Sequence, residues 1–214
     1  ATANIASDDA TDALFDLTAT GNVTVVAIGP LTNIAHAIDR DPTWIRRIPR
    51  LVIMGGSTAA GNVTSHAEFN IWADPEAAAF VFDSGISLTM AGLNLTRQVT
   101  MGQPEIDTMS ASSTPTAAAG AGALDYYSDF SMAHYGVKQS AMHDPCAVLE
   151  VVRPELFGRQ AMSVNIETAG VHTRGMTVCD QRANAVAPDT DVLVDAASSV
   201  VVELIVQAAI DPAS

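Results

Sequence analysis

Leu51–Glu76 reads LVIMGGSTAAGNVTSHAEFNIWADPE, and the order of residue types within it decides the fold. Leu51–Met54 is a short apolar run, too brief for a helix and rich enough in branched residues for a buried strand. Gly55 and Gly56 break the run and let the backbone turn or approach another group closely. A polar loop follows, carrying Asn62, Thr64, Ser65, His66, Glu68 and Asn70. It ends at Asp74-Pro75-Glu76, a helix start with Asp as N-cap and Pro at the first helical position. In an open α/β sheet, the loop that leaves the carboxyl end of a strand is where ligands bind.

Working outward, the same alternation continues. Upstream, Thr11–Thr18 has helical spacing that Gly21-Asn22 stops. Val23–Ile28 (VTVVAI) is a β-branched run suited to a parallel strand covered on both faces. Gly29-Pro30-Leu31-Thr32-Asn33 turns the chain into a helix beginning at Thr32, which Asp41-Pro42 ends. Downstream, the helix Pro75–Ser84 closes at Gly85, and Ile86–Leu93 is again strand-like. The order β-α-β-α-β with tight turns predicts an α/β chain with a parallel sheet and helices on its faces. Ser110–Ala123 reads as a flexible Ser/Thr/Ala/Gly connector. Leu124–Gly136 gathers Tyr126, Tyr127, Phe130 and Tyr135 at helical spacing, either an amphipathic core helix or an aromatic wall over a ligand. His143-Asp144-Pro145 precedes an apolar helix, Cys146–Val152. The last third holds short β-type runs at Ala161–Ile166, Gly175–Cys179 and Val192–Val194, and Ala196–Ile210 has the pattern of a terminal helix.

Composition narrows the function classes. A length of 214 residues suits one domain spanning 1–214, and 48% hydrophobic with 16% charged residues describes a well-buried globular chain. The net charge of −14 repels phosphate backbones and anionic membrane surfaces, which argues against nucleic-acid and membrane binding. The two cysteines, Cys146 and Cys179, form no CxxC pair and read as buried thiols in a reducing compartment, hence a cytoplasmic location. No apolar run reaches the length of a membrane span. GxSxG, P-loop, GxGxxG and HExxH motifs are all missing, so acyl transfer, nucleotide hydrolysis, dinucleotide binding and zinc chemistry lose their usual warrants.

What remains is a set of polar loop residues at strand ends. Asp144 is either a helix N-cap or a carboxylate ligand to a hard cation. His143 is either a surface loop residue or a general acid. Asn62, Glu68 and Asn70 either hydrogen-bond their own loop or grip a polyhydroxylated ring, which needs one anionic acceptor and amides that both donate and accept.

The ordered set GPLTN (Gly29–Asn33), MGG (Met54–Gly56), GNVTSHAEFN (Gly61–Asn70), DPEAA (Asp74–Ala78), HDP (His143–Pro145) and GMTVCDQR (Gly175–Arg182) closely resembles the inosine-uridine-preferring nucleoside hydrolases. The resemblance runs from about Val23 to the C-terminus. It implies a Rossmann-like open, mostly parallel sheet, and cleavage of the N-glycosidic bond of ribonucleosides to ribose and free base with a bound Ca²⁺. It implies that Asp144 and the backbone carbonyl of Ile28 are calcium ligands. Asn62, Glu68 and Asn70 would hold the ribose hydroxyls, with Met54 packing at the sugar and Phe69 near the pocket. His143 would protonate the departing base, with Tyr135 near the base on a looser match.

The sequence departs from the family at its start. The family opens with a strand and an Asp-rich signature of the type DxDxxxDD, which supplies most calcium carboxylates and the base that activates water. Nothing before Val23 matches it; Asp8, Asp9 and Asp12 read as solvated surface charges. The chain is therefore expected to be the C-terminal portion of the family's domain. It is either part of a longer hydrolase or a shortened, inactive relative acting as a nucleoside-binding or oligomeric scaffold. Loss of a central strand exposes a sheet edge, so pairing with the missing N-terminal segment or with a second copy in a homo-oligomer is expected.

Overall fold

The computed structural model describes residues 9–182, 184 and 187–211, apart from the side chain of Tyr135. In chain order its first elements are α1 (Ala10–Leu17), β1 (Val25–Ala27), α2 (Thr32–Arg40), β2 (Leu51–Met54), α3 (Phe69–Ala73), α4 (Pro75–Phe82) and β3 (Leu88–Ala91). There follow α5 (Leu93–Thr96), β4 (Thr100–Met101), α6 (Gln103–Ser110), α7 (Pro115–Tyr135), β5 (Ser140–Ala141) and α8 (His143–Val152). The last are β6 (Phe157–Met162), β7 (Val164–Ile166), β8 (Thr177–Cys179), β9 (Thr190–Ala196) and α9 (Ser198–Ile210). These residues form two compact units, Ala1–Asn94 with Arg159–Leu193 and Leu95–Gly158 with Val194–Ser214.

The first unit is built on a sheet of order β1-β2-β3-β9-β6, in which β1, β2, β3 and β9 run parallel. Val25, Leu51, Leu88 and Thr190 share one row across it. Every residue of β2 and β3 is buried. Successive strand residues face opposite sides, so an unbroken buried run means that both faces are covered. The α/β expectation holds, and β2 falls on the predicted Leu51–Met54. By contrast β1 is one of the two edge strands, and all three of its residues are partly exposed. A groove of about 480 Å³ beside it is lined by Leu14, Leu17, Val25, Val26, Pro30 and Ile34, among others.

Two of the quoted motifs are joined by one side chain. Asp74 caps α4 through Oδ1, which accepts from the Ala77 N–H at 3.1 Å. Its Oδ2 accepts the Thr32 hydroxyl at 2.6 Å, at the start of α2. Near α1, Trp44 is fully buried, donates from Nε1 to Thr18 Oγ1 at 2.9 Å, and meets Phe15 edge-on. Of the acids expected as solvated surface charges, Asp9 instead caps α1, Asp12 pairs with Arg40 at the surface, and Asp8 lies outside the described residues.

In the second unit the expected connector at Ser110–Ala123 is corrected. It comprises the end of α6, a turn, and the first part of α7. Alanine is the strongest helix former, and Thr114 with Pro115 makes a good start. Thr114 Oγ1 accepts from the Ala117 N–H at 3.3 Å and donates to the Ala209 carbonyl at 3.0 Å. Ala117 and Ala121 are small enough to let Ile106 and Met109 of α6 pack against α7, with Val206 and Ile210 of α9 completing the cluster. Aromatic residues follow on α7, where Tyr127, Phe130 and His134 stack in a row. No helix among the described residues is long and apolar enough to cross a membrane.

Gly122 is exposed within α7, and a Cβ there would meet nothing within 4 Å. Gly122→Ala is therefore expected to stabilise the chain by about 0.5–1 kcal/mol, read in urea unfolding. A loss of stability would contradict a continuous helix through residue 122.

Candidate active site

The polar loop after β2 is organised by one buried carboxylate. Glu68 is 3% exposed. It accepts from the Gly56 N–H at 3.0 Å, the Asn70 N–H at 3.0 Å and the Ile71 N–H at 3.3 Å. It is the N-cap of α3, so the loop does not run polar and irregular to Asp74 as expected: one short helix, Phe69–Ala73, intervenes. The same side chain thus ties the turn leaving β2 to the helix that follows.

Its neighbours close the arrangement. Asn70 donates from Nδ2 to the Met54 carbonyl at 2.9 Å, and its Nδ2 lies 3.6 Å from Met54 Sδ. Asn62 Oδ1 accepts from the Phe69 N–H at 3.0 Å, while the residue itself is exposed. Met54 is buried and Phe69 is 51% exposed, its ring 6.3 Å from that of Trp72. Met54, Asn62, Glu68, Phe69 and Asn70 are therefore brought together at the carboxyl end of β2. Asn62, Glu68 and Asn70 each hydrogen-bond their own loop or the strand end beside it, as one of the two sequence readings required.

Sequence reasoning missed the groups that hold this turn from outside. Gly56 has φ +72°, and a Cβ there would lie 2.6 Å from Thr177 Cγ2. Thr177 Oγ1 accepts from the Ser57 N–H at 2.8 Å and donates to the Ser57 carbonyl at 2.6 Å. Asn94 donates to the Leu193 carbonyl at 2.8 Å, and its Oδ1 receives the Thr58 N–H at 3.3 Å. Thr177 lies within the GMTVCDQR motif, whose order was visible although its partner was not.

In the second unit, His143 opens α8. Met142 is its N-cap and makes no side-chain bond, so Asp144 is not the cap: it sits one residue inside the first turn. His143 Nδ1 and Thr96 Oγ1 share a hydrogen bond of 2.7 Å. Burial, with the Arg97 charge as a lesser cause, holds the His143 pKa below the usual histidine value. Burial pushes the Asp144 carboxyl above its ordinary range. Both thiols are free, Cys146 pushed up to about 12 and Cys179 to about 11 by burial, so neither is a ready nucleophile.

Calcium takes six to eight oxygen ligands. Among the described residues no group of three or more His, Cys, Asp or Glu is gathered to hold a metal ion. One carbonyl, of Ile28, and one carboxylate, of Asp144, fall short of that number, so the described donors by themselves do not fit a calcium ion. The side chain of Tyr135 lies outside the described residues.

The family model described as inosine-uridine preferring nucleoside hydrolase matches residues 1–205. The chain belongs to that family. The match starts upstream of Val23, where the resemblance read from the sequence begins. The chain is 41% identical over 175 residues to the pyrimidine-specific ribonucleoside hydrolase RihA of Enterobacter sp. (strain 638), covering 81% of this chain and 56% of that protein. It spans about half the length of the curated relatives it matches. A plant nucleoside hydrolase, the PpNRh1 enzyme, superposes with a TM-score of 0.87 at 28% identity, over 95% of this chain and 67% of that one. The purine-preferring ribonucleoside hydrolase from Gardnerella vaginalis does so with a TM-score of 0.87 at 29% identity, over 95% and 66%.

Replacing Glu68 by Ala leaves the Gly56, Asn70 and Ile71 N–H groups without their acceptor, and is expected to cost about 3 kcal/mol in urea unfolding. Glu68→Gln keeps an oxygen in place and should cost about half that or less. A Glu68→Ala loss under about 1 kcal/mol would show that the carboxylate does not organise the turn.

Proposed function

We propose that the chain hydrolyses the N-glycosidic bond of ribonucleosides, giving ribose and the free base. The observation that carries this reading is the convergence of Glu68, Asn70, Asn62 and Met54 at the carboxyl end of β2. That set supplies an anionic acceptor and amides to a ring of hydroxyls. The names of its relatives support the substrate class: one set is pyrimidine-specific, a structural relative is purine-preferring, and ribonucleosides are common to both.

Departure of the base leaves a ribosyl group with oxocarbenium character, as in other glycoside cleavage. A fixed anion in a site poor in water stabilises that developing positive charge, and Glu68 is the carboxylate so placed in this reading. His143 acts as the leaving-group acid: its ring proton passes to the base nitrogen as the C–N bond breaks, water adds to the anomeric carbon, and the proton that the water loses is returned to the ring. Asp144 and the Ile28 carbonyl keep the ligand roles that the resemblance implies only where further oxygen donors complete a calcium site.

The same reading makes the protein a cytoplasmic enzyme of ribonucleoside catabolism, working as a homo-oligomer or with a further segment added along β1. The exposed edge of β1 and the apolar groove beside it support such pairing.

The test is release of base from inosine or uridine, followed by absorbance in calcium-containing buffer. Base release is expected, and His143→Ala should slow it by about 10²–10⁴-fold while affecting an aryl riboside with a good leaving group far less. No release under conditions where a full-length relative turns over would sink the catalytic reading and favour a binding scaffold. Equal losses on both substrates would remove His143 from the leaving-group role.

A further inference from the structure

The second unit holds His143 more firmly than a helix start alone would. The β4 and β5 strands pair antiparallel, Thr100 with Ala141 and Met101 with Ser140. Beyond that pair the Met142 N–H donates to the Val99 carbonyl at 2.8 Å. The next contact along the two segments is the 2.7 Å hydrogen bond between Thr96 Oγ1 and His143 Nδ1. Ser140 is fixed from its other side, its hydroxyl 3.1 Å from that of Ser128 on α7, with both residues fully buried. Residues 96–101 and 140–143 thus form a zipper that runs from a strand pair to an imidazole ring.

The direction of the last bond follows from burial. Thr96 is 0% exposed. A buried hydroxyl proton without an acceptor costs free energy, so it is donated to whatever acceptor is in reach. Among the described hydrogen bonds, Nδ1 of His143 is the partner given to Thr96 Oγ1. The hydroxyl does not bond back to the carbonyl four residues earlier, as Thr18 does to Leu14 at 2.6 Å. A neutral imidazole carries one proton, and a nitrogen that accepts leaves that proton on the other.

We propose that Thr96 is a positioning residue for His143: its buried hydroxyl donates to Nδ1, so that the neutral ring carries its proton on Nε2 as the donor for a departing base. This rests on the nucleoside hydrolase reading for the purpose of the donor, but not for its geometry. Thr96 touches no reacting atom. It sets which ring nitrogen donates and fixes the ring's orientation through the zipper.

The direct test reads the tautomer without turnover. Long-range proton–nitrogen spectra of the chain labelled at histidine, at a pH where the ring is neutral, are assigned by comparison with His143→Ala. Nδ1 should fall in the unprotonated range and Nε2 in the protonated range. Thr96→Val, nearly the same shape without the hydroxyl, should lower the ratio of Nε2–H to Nδ1–H forms about five- to tenfold, and Thr96→Ser should restore it. A wild-type ring protonated on Nδ1, or a ratio unmoved by Thr96→Val in a variant whose amide spectrum stays folded, would overturn the proposal. Should Thr96→Val fail to fold, the wild-type tautomer alone still decides the hydroxyl's direction. A shifted tautomer in a chain that releases no base would keep the positioning role and remove the catalytic reading, so the two failures are distinguishable.

Discussion

A carboxylate that is 3% exposed has to be satisfied by the protein, and in this chain the groups that satisfy Glu68 are backbone N–H groups from the turn and the helix that flank its own loop. That constraint shapes the first unit's functional end. Gly56 donates its N–H to the carboxylate while turning the chain at φ +72°, and α3 begins at Phe69 so that its first free N–H groups reach the same carboxylate. Once the ends are fixed, the intervening residues fold on themselves: the N–H groups of Asn62 and Val63 both turn to the Ala67 carbonyl. Gly61 packs so closely on the Ala67 and Thr64 backbone that no side chain fits there. The exposed Asn62 and the buried Asn70 are set beside Glu68 as a consequence.

The two units make different use of short-range order. In the first, the sheet supplies a rigid strand end, and side chains distant in sequence brace the turn, Thr177 of β8 on Ser57 and Asn94 of α5 on Thr58. In the second, a two-residue strand pair does the equivalent job for the start of α8. Each device places a chemically useful group at the end of a regular element, where backbone groups lack intrahelical partners and side chains gain influence.

The sheet was legible because its signal is local. Leu51–Met54 is bounded by Arg50 and Gly55 and is β-branched enough to be read to the residue, and Asp74-Pro75 announces α4 in the same way. Two misreadings have definite causes. Ser110–Ala123 carries Ser, Thr and Gly in quantity, and these hid an alanine helix whose stability comes from packing Ala117 and Ala121 against α6. The α3 helix was missed because its cap is Glu68, outside the Ser, Thr, Asp and Asn set that marks helix starts. The Thr96–His143 bond joins residues 47 apart and had no sequence signal at all. The site residues themselves came from motif order, with the physics of each supplied by the fold.

The central claim, that the turn after β2 holds the ribosyl part of a nucleoside, is tested most directly by a heteronuclear titration of the nitrogen-15-labelled chain with uridine or inosine. The account predicts shifts concentrated at the amides of Gly55, Gly56, Phe69, Asn70 and Ile71 and at the side-chain amides of Asn62 and Asn70, and weaker shifts from the 2′-deoxy nucleoside. Shifts confined to other parts of the chain, or equal shifts from the ribo and deoxy ligands, would contradict it.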